Sequence, residues 1–217
     1  MVRTKTAPTL PQTTAYQQGL ELPVMEAFYT LQGEGHHAGK AAYFIRLAGC
    51  DVGCVWCDVK ESWTIEDHPV RPVGELVAQA AQHPGRMAVI TGGEPLMHPL
   101  GPLTRQLQEA GFAAHIETSG AHTLSGHWDW ICLSPKKFKP SLPESYRRAD
   151  ELKVVIYNHK DFEWAEAQAA KVGPECRLLL QPEWSKASQM MPLMVEYIQQ
   201  HPQWHMSLQS HKYLNIR

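Results

Sequence analysis

Short apolar runs rich in β-branched residues alternate along this chain with longer segments of helical period. This alternation is typical of βα units, which assemble into a parallel sheet covered by helices. The predicted strands are residues 42–47, 87–91, 114–117, 130–134, 152–157, 177–181 and 205–209. The predicted helices begin at Val73, Leu100, Asp161 and Gln189, and Gly111 and Gly173 stand where a glycine ends a helix.

The number of these elements limits the architecture. About seven strands and four helices in 217 residues are too few for an eight-fold barrel, so the sequence predicts an α/β fold with a partial, abbreviated TIM-like barrel. The polar motifs TGGEP, ETSG, SPK and QPE follow the ends of predicted strands, at the edge where parallel α/β folds place their sites. Residues 1–20 are rich in Thr, Pro and Gln and are expected to form a flexible leader before a single domain at 21–217.

Charge and cysteine usage exclude several classes of protein. A net charge of −2 argues against a nucleic-acid partner, because binding phosphates requires a basic surface. No apolar run approaches the roughly 18 residues of a membrane span, and the N-terminus lacks a secretory signal. Five cysteines, three of them clustered, do not suggest a disulfide framework. We therefore expect a cytoplasmic protein that binds neither nucleic acid nor membrane.

The clustered cysteines, Cys50, Cys54 and Cys57, have the spacing C-x3-C-x2-C in the segment LAGCDVGCVWCDV. A structural zinc site and an electron-transfer cluster each normally need four protein ligands, and a chance group of buried or redox-active thiols is a third interpretation. In a fourth interpretation, the three thiolates hold a [4Fe-4S] cluster and leave one of its irons without a protein ligand. That iron can be chelated by the amino and carboxylate groups of S-adenosylmethionine, whose sulfonium then lies near the cluster.

The segment ITGGEP favours the fourth interpretation. It resembles the glycine-rich segment of the radical S-adenosylmethionine superfamily, which implies that Gly92 and Gly93 let the backbone approach the methionine amino group and that Glu94 adds a charge-assisted hydrogen bond. Trp56 lies between two of the cysteines and can offer an aromatic face to adenine.

The cysteine motif followed by the glycine-rich segment resembles the radical S-adenosylmethionine superfamily. Within it, the flanking segments are similar to one family, 7-carboxy-7-deazaguanine synthase, a lyase family of queuosine and 7-deazapurine biosynthesis. The similar segments are MEAFYTLQGEG, FIRLAGCDVGCVWCDVKESW, VITGGEP, IETSG, SPK, LQP and SLQSHKYLNIR. TLQGEG and HKYLNI are the most specific, because other small radical enzymes such as activases share the cysteine loop and TGGEP alone.

The resemblance implies a reaction and two cofactors. A 5'-deoxyadenosyl radical, generated at a [4Fe-4S] cluster from S-adenosylmethionine, would abstract hydrogen from C6 of 6-carboxy-5,6,7,8-tetrahydropterin. Ring contraction and loss of ammonia would then give 7-carboxy-7-deazaguanine, and S-adenosylmethionine would be regenerated. The implied partners are the pterin, a flavodoxin-type or other reductant, and a second copy of the chain in a homodimer.

The resemblance also assigns roles to individual residues. Cys50, Cys54 and Cys57 match the cluster ligands. The positions that match contacts to S-adenosylmethionine are Trp56, Cys57, Asp58, Gly93, Ser134, Pro135, Lys136 and Gln181. The positions that match substrate contacts are Leu31, Gln32, Gly33, Arg46, Thr91 and Arg217.

The chemistry of individual side chains supports some of these substrate contacts and adds three further candidate contacts, Glu34, Glu117 and His211. Arg46 stands in an apolar strand, where a guanidinium needs an anion such as the pterin carboxylate. Gln32 and Glu34 lie in a glycine-bracketed turn and can accept from the amino and N–H groups of the pterin. Glu117 ends a predicted strand and His211 lies in the C-terminal segment, so both are candidate contacts to the substrate.

Val59 departs from the family pattern. The family commonly has Thr or Ser here, and its hydroxyl binds a Mg²⁺ ion that also contacts the substrate carboxylate. Val59 has no side-chain oxygen, which places Mg²⁺ binding in doubt and predicts little Mg²⁺ dependence. Two functions remain as alternatives: a glycyl-radical-enzyme activase, and a non-catalytic Fe-S or zinc binding module.

Overall fold

A computed structural model describes residues 8–217, which form a nine-stranded sheet with helices packed on it. The strands are β1 (Glu21–Leu31), β2 (Ala41–Leu47), β3 (Val70–Pro72), β4 (Met87–Gly92), β5 (Ala113–Thr118), β6 (Trp130–Leu133), β7 (Glu151–Ile156), β8 (Arg177–Pro182) and β9 (Trp204–Met206). The helices are α1 (Thr14–Gln17), α2 (Val73–Ala81), α3 (Gly101–Glu109), α4 (Pro143–Arg148), α5 (Lys160–Ala169), α6 (Ala187–Gln200) and α7 (Ser210–Leu214).

The strand order is β3-β1-β2-β4-β5-β6-β7-β8-β9. Strand β2 and strands β4 to β9 pair in parallel, while β1 pairs antiparallel with both β2 and β3. Within the described chain the end strands β3 and β9 do not pair with each other, so the barrel is open. The predicted partial barrel is confirmed.

The seven predicted strands are present, and the four predicted helices all form. Their boundaries differ by a few residues: the last strand ends at Met206, so residues 207–209 lie outside it. Gly111 follows α3 with a φ of +79°, as expected for a helix-ending glycine. Gly173 does not have this role, because α5 already ends at Ala169.

The sequence patterns missed β1, the longest strand. Pro23 removes a backbone donor, and the register shifts between Val24 and Glu26, which interrupts the alternation that marks a strand. Pairing with β2 along residues 24–31 compensates for this weak local signal. The three short helices α1, α4 and α7 were not predicted either.

The expected leader is packed over part of its length. Tyr16, in α1, is 4% exposed, and its hydroxyl is 2.9 Å from Nδ1 of the buried His98. Leu10 also packs against the core. The folded region therefore begins before residue 21, and residues 1–7 lie outside the described chain.

Two apolar clusters hold the helices to the outer face of the sheet. One joins α2 and α3 to strands at the β1 end, and the other joins α4, α5 and α6 to strands at the β9 end. The inner face is less apolar and surrounds a cavity at the carboxyl ends of the parallel strands. No helix within residues 8–217 is both long enough and apolar enough to cross a membrane.

Candidate active site

The cavity has a volume of about 270 Å³ and collects the predicted site residues from eight segments of the chain. It is lined by every residue predicted for the cluster, the cofactor or the substrate except Pro135, whose neighbours Ser134 and Lys136 do line it. These lining residues are Leu31, Gln32, Gly33, Glu34, Arg46, Cys50, Cys54, Trp56, Cys57, Asp58, Val59, Thr91, Gly92, Gly93, Glu94, Glu117, Ser134, Lys136, Gln181, His211 and Arg217. Their individual roles remain predictions.

The cysteine loop leaves the carboxyl end of β2 and returns into the cavity wall. Its start is fixed by backbone hydrogen bonds from Gly49 to Ser62 (2.7 Å) and from Cys50 to Trp63 (3.2 Å). Cys50 and Cys54 are each 8% exposed, and all three thiols are free. Burial raises the pKa of the Cys54 thiol to about 11, so ligation of iron must release its proton. Three free thiols on one cavity wall fit a cluster with one open iron.

The glycine-rich segment after β4 packs directly on the cysteine loop. A Cβ on Gly92 would lie 2.1 Å from the carbonyl oxygen of Leu47, and a Cβ on Gly93 would lie 2.1 Å from that of Gly49. Any side chain at either position would force the two segments apart. In the structure these glycines therefore serve backbone-to-backbone contact, while their approach to the methionine group remains a prediction.

Glu94 is 1% exposed and connects β4 to β5. One carboxylate oxygen accepts from the Thr118 hydroxyl (2.5 Å) and the Leu96 backbone N–H (3.1 Å). The other accepts from the backbone N–H (2.8 Å) and hydroxyl (2.5 Å) of Ser119. Since a carboxylate has about four acceptor positions, Glu94 is largely satisfied by the protein. The structure thus gives it a scaffolding role that the sequence did not predict.

Lys136, Ser134 and Trp56 form a group beside the cysteine loop. The Lys136 ammonium donates to the backbone oxygen (2.8 Å) and the hydroxyl of Ser134 and lies 5.6 Å from the centre of the Trp56 ring. Burial lowers the pKa of Lys136. This group supplies a cation and an aromatic face at one end of the cavity.

The same cavity is also lined by an acidic network. The Glu34 carboxylate accepts from Lys153 (2.5 Å), from the Gln181 amide (3.0 Å) and from the Gln209 amide (2.8 Å). Glu117 accepts from the Gln32 amide at 2.9 Å. Gln181, predicted to contact the cofactor, therefore belongs to this network.

The C-terminal segment contributes Gln209, His211 and Arg217 to the cavity wall. Asp58 accepts from the Lys212 ammonium at 2.8 Å, which ties α7 to the residue after the last cluster cysteine. Burial would raise the pKa of Asp58, but its bond to Lys212 outweighs this effect and lowers the pKa. The His211 ring packs on Gly33, whose backbone oxygen accepts two hydrogen bonds from Ser210.

Arg46 faces the cavity, as the sequence predicted, but it already has an anionic partner. Its Nε donates to Glu26 at 2.8 Å, and the Arg217 guanidinium lies 3.9 Å from the other Glu26 oxygen. Glu26 thus brings together two cations that were predicted to contact substrate. The terminal nitrogens of Arg46 take no part in its pair with Glu26.

Several lining residues were not predicted. They are Phe28, Phe44, Val52, Ser62, Trp63, Thr118, Ser119, Lys153, Val155, Pro182, Glu183, Trp184 and Gln209. Lys153 could have been found, because it is a charged residue inside the apolar strand β7, the same signal that identified Arg46. Gln209 had no such signal, since its role depends on where the C-terminal segment folds back.

The fold and this site define a class of protein. Residues 44–160 match the family model described as Radical SAM superfamily. The cysteine loop and the glycine-rich segment both lie inside that match, so the chain has the cluster and S-adenosylmethionine as cofactors.

Comparisons over nearly the whole chain identify the family more narrowly. A 7-carboxy-7-deazaguanine synthase of Flavobacterium psychrophilum is 54% identical, covering 93% of this chain and 96% of the relative. The Synechocystis and Escherichia coli K12 enzymes of that name are 51% and 35% identical, covering 90% and 91% of this chain and 93% and 100% of their own lengths. A crystal structure described as QueE from Escherichia coli superposes with a TM-score of 0.82 at 33% identity, covering 93% of this chain and all of that one. The chain belongs to the 7-carboxy-7-deazaguanine synthase family.

Proposed function

We propose that this chain converts 6-carboxy-5,6,7,8-tetrahydropterin into 7-carboxy-7-deazaguanine with loss of ammonia. Family membership, from a match over 93% of the chain, supports the reaction. The structural observation that carries it is one cavity whose wall contains both the three cluster-type thiols and an acceptor-rich network around Glu34 and Glu117. An activase acting on a protein backbone would have no need of such a network.

The residues present fit the two cofactors. Cys50, Cys54 and Cys57 would hold the [4Fe-4S] cluster, and Trp56 with Lys136 would border the bound S-adenosylmethionine. When bound, these groups supply the radical chemistry that removes a hydrogen atom from C6 of the pterin.

The protein itself binds, orients and shields the substrate. Glu34 and Glu117 accept from the amino and ring N–H groups of the pterin, which fixes the ring in its plane. Arg46 attracts the pterin carboxylate. Gln209, His211 and Arg217 of the C-terminal segment line the cavity and limit entry of water.

The proposed function also involves a second copy of the chain, an electron donor and a reducing compartment. Residues 21–217, together with the packed part of the expected leader, would act as one domain. This domain would form a homodimer that receives its electron from a flavodoxin-type reductant, as the family resemblance implies. A cytoplasmic location suits its five free thiols, which a reducing compartment preserves.

The test is anaerobic turnover by protein reconstituted with iron and sulfide, with S-adenosylmethionine and a reductant. We expect 7-carboxy-7-deazaguanine to form, and a Cys54→Ser variant to form none. A Cys176→Ser variant is the matched control, because Cys176 is buried in the outer core and does not line the cavity. Cleavage of S-adenosylmethionine without this product would retain the radical chemistry and refute the substrate.

A further inference from the structure

Lys153 is a buried cation that the sequence did not single out. Residues alternate along β7, so Leu152, Val154 and Ile156 enter the outer core, whereas Lys153 and Val155 line the cavity. The Lys153 side chain is only 5% exposed. A buried ammonium is costly unless anions surround it, so its neighbours explain its presence.

Those neighbours are two carboxylates from distant parts of the chain. Lys153 Nζ lies 2.5 Å from Glu34 Oε2 and 3.9 Å from Glu117 Oε1. Gln181 and Gln209 also donate to Glu34, and Gln32 donates to Glu117. Lys153 is the shared cation of the pair, and the amides fix the orientation of each carboxylate.

Among the described residues, no second Lys or Arg forms an ion pair with either carboxylate. The other titratable groups that face the pair are His37, Asp58, His115, Cys132, Glu151 and His211. Two of these are further carboxylates, and Glu151 is already held by the backbone N–H of His36 at 2.9 Å. Without Lys153, the mutual repulsion of Glu34 and Glu117 would favour protonation of one of them.

We infer that Lys153 is a positioning residue that keeps Glu34 and Glu117 together as ionised acceptors for the N–H edge of the pterin ring. A protonated carboxyl would present a donor to that edge and reject it. The inference rests on the proposed function, because it assumes that the ligand is a pterin.

The protonation energetics agree with the geometry. Burial would raise the pKa of Glu34, but the Lys153 ammonium and the amide donors outweigh it and lower the pKa to about 2. Burial likewise disfavours the charged form of Lys153, yet the nearby carboxylates of Glu117, Glu34 and Glu151 raise its pKa well above the ordinary value. Each charge is stable because the other is present.

The first experiment measures binding of 6-carboxypterin, which is redox-stable, by its fluorescence across mildly acidic to neutral pH, where its ring N–H stays protonated and presents the same edge. The wild type and Lys153→Arg are expected to bind equally well at every pH. Lys153→Met is expected to bind about 10- to 100-fold more weakly at the acidic end and to recover as the pH rises. Lys137→Met is the matched control, because Lys137 pairs with Asp161 and does not line the cavity. A Lys153→Met profile parallel to that of the wild type would overturn the inference.

A second readout needs no ligand. Without the cation, burial and mutual repulsion of the two carboxylates disfavour their ionised forms in the folded protein, so ionisation now favours the unfolded state. The melting temperature of Lys153→Met should therefore fall further below that of the wild type as the pH rises, and adding Glu117→Gln should reduce this widening. A constant difference would overturn the inference. If this pattern appears but the wild type binds no pterin, the proposed function fails while the role of Lys153 stands.

Lys153→Met leaves two buried carboxylates without their cation, so a double variant separates loss of folding from loss of positioning. Lys153→Met with Glu117→Gln removes the repulsion together with the cation, and we expect it to fold. Failure of this variant to fold would show that Lys153 is purely structural and would overturn the inference.

Discussion

Single side chains already give testable consequences, and Gly33 gives the clearest. A Cβ at this position would lie 2.2 Å from Nδ1 of His211, so Gly33→Ala must displace the ring and the segment that carries it. A displacement of about 1 Å near a reaction centre costs roughly 100-fold in rate, so we expect turnover to drop by at least about tenfold. Turnover and iron content should be measured together, and iron content should stay normal.

The control for this change is Gly173→Ala. Nothing lies within 4 Å of a Cβ there, and its φ is not positive. Wild-type turnover by Gly33→Ala would contradict the proposed contact between His211 and the turn.

Val59 lines the cavity and offers no side-chain oxygen to a metal ion. Its backbone oxygen already accepts from the Ser62 backbone N–H and hydroxyl. We expect chelation of Mg²⁺ to change wild-type turnover little, and Val59→Thr to acquire a Mg²⁺ response because it adds an oxygen ligand. The measurement is product formation before and after chelation and after Mg²⁺ is added back. A large wild-type loss that Mg²⁺ restores would refute this expectation.

The lowered pKa of Glu34 makes the free energy of unfolding depend on pH. Its pKa falls from 4.5 to about 2 on folding, so its charged form stabilises the folded state above pH about 4.5, and this contribution is lost as the pH falls toward 2. Wild type should therefore exceed Glu34→Gln in free energy of unfolding at neutral pH, and the difference should shrink in acid. Urea unfolding of both proteins across that range measures it. A difference that is independent of pH would show that Glu34 contributes no charge effect.

Among the secondary-structure elements, the C-terminal segment carrying α7 has the most direct functional consequence. It contacts the site through Ser210, Lys212 and Arg217, whereas the cysteine loop also has its own bonds to residues 62 and 63. Deleting residues 210–217 should therefore reduce turnover about 100-fold, by the same positional argument, while the cluster still assembles. Product formation measures the loss of turnover, and iron content with the cluster absorption spectrum measures cluster assembly.

The matched control for the deletion is Lys212→Met, which removes one ion pair and keeps the helix. It should lose much less activity, because an exposed pair contributes little. Full turnover by the truncated chain would show that the segment has no part in catalysis.

For the molecule as a whole, one sheet carries both apolar clusters. Leu107 belongs to the cluster at the β1 end and Leu180 to the cluster at the β9 end, and both are fully buried. Leu→Ala at either position should reduce the free energy of unfolding by about 2–5 kcal/mol. Because the sheet is continuous, each variant should still unfold in one transition.

Leu193→Ala is the comparison for these core variants, since Leu193 is 39% exposed and should change stability little. Chemical denaturation followed by fluorescence and by circular dichroism tests both expectations. Two separate transitions would show that the two clusters fold as independent units.

The sequence by itself determined the fold class, the cysteine loop and the edge of the sheet that carries the site. These depend on local information: apolar periodicity marks the parallel strands, and C-x3-C-x2-C specifies its own ligand spacing within eight residues. Because parallel strands end at one edge, the motifs that follow them had to meet there. Local information failed at β1, whose irregular register is compensated by pairing with β2.

Only the tertiary structure decided which polar groups pair with each other. Lys153 lies 119 residues from Glu34 along the chain, and Gln209 lies 175 residues from it. Whether such groups meet depends on strand register, barrel curvature and the return of the C-terminal segment, which no local pattern encodes. Arg46 depends on both kinds of information. Its place in the apolar strand β2 predicted that it faces the cavity, whereas only the pairing of β1 with β2 made Glu26 its partner.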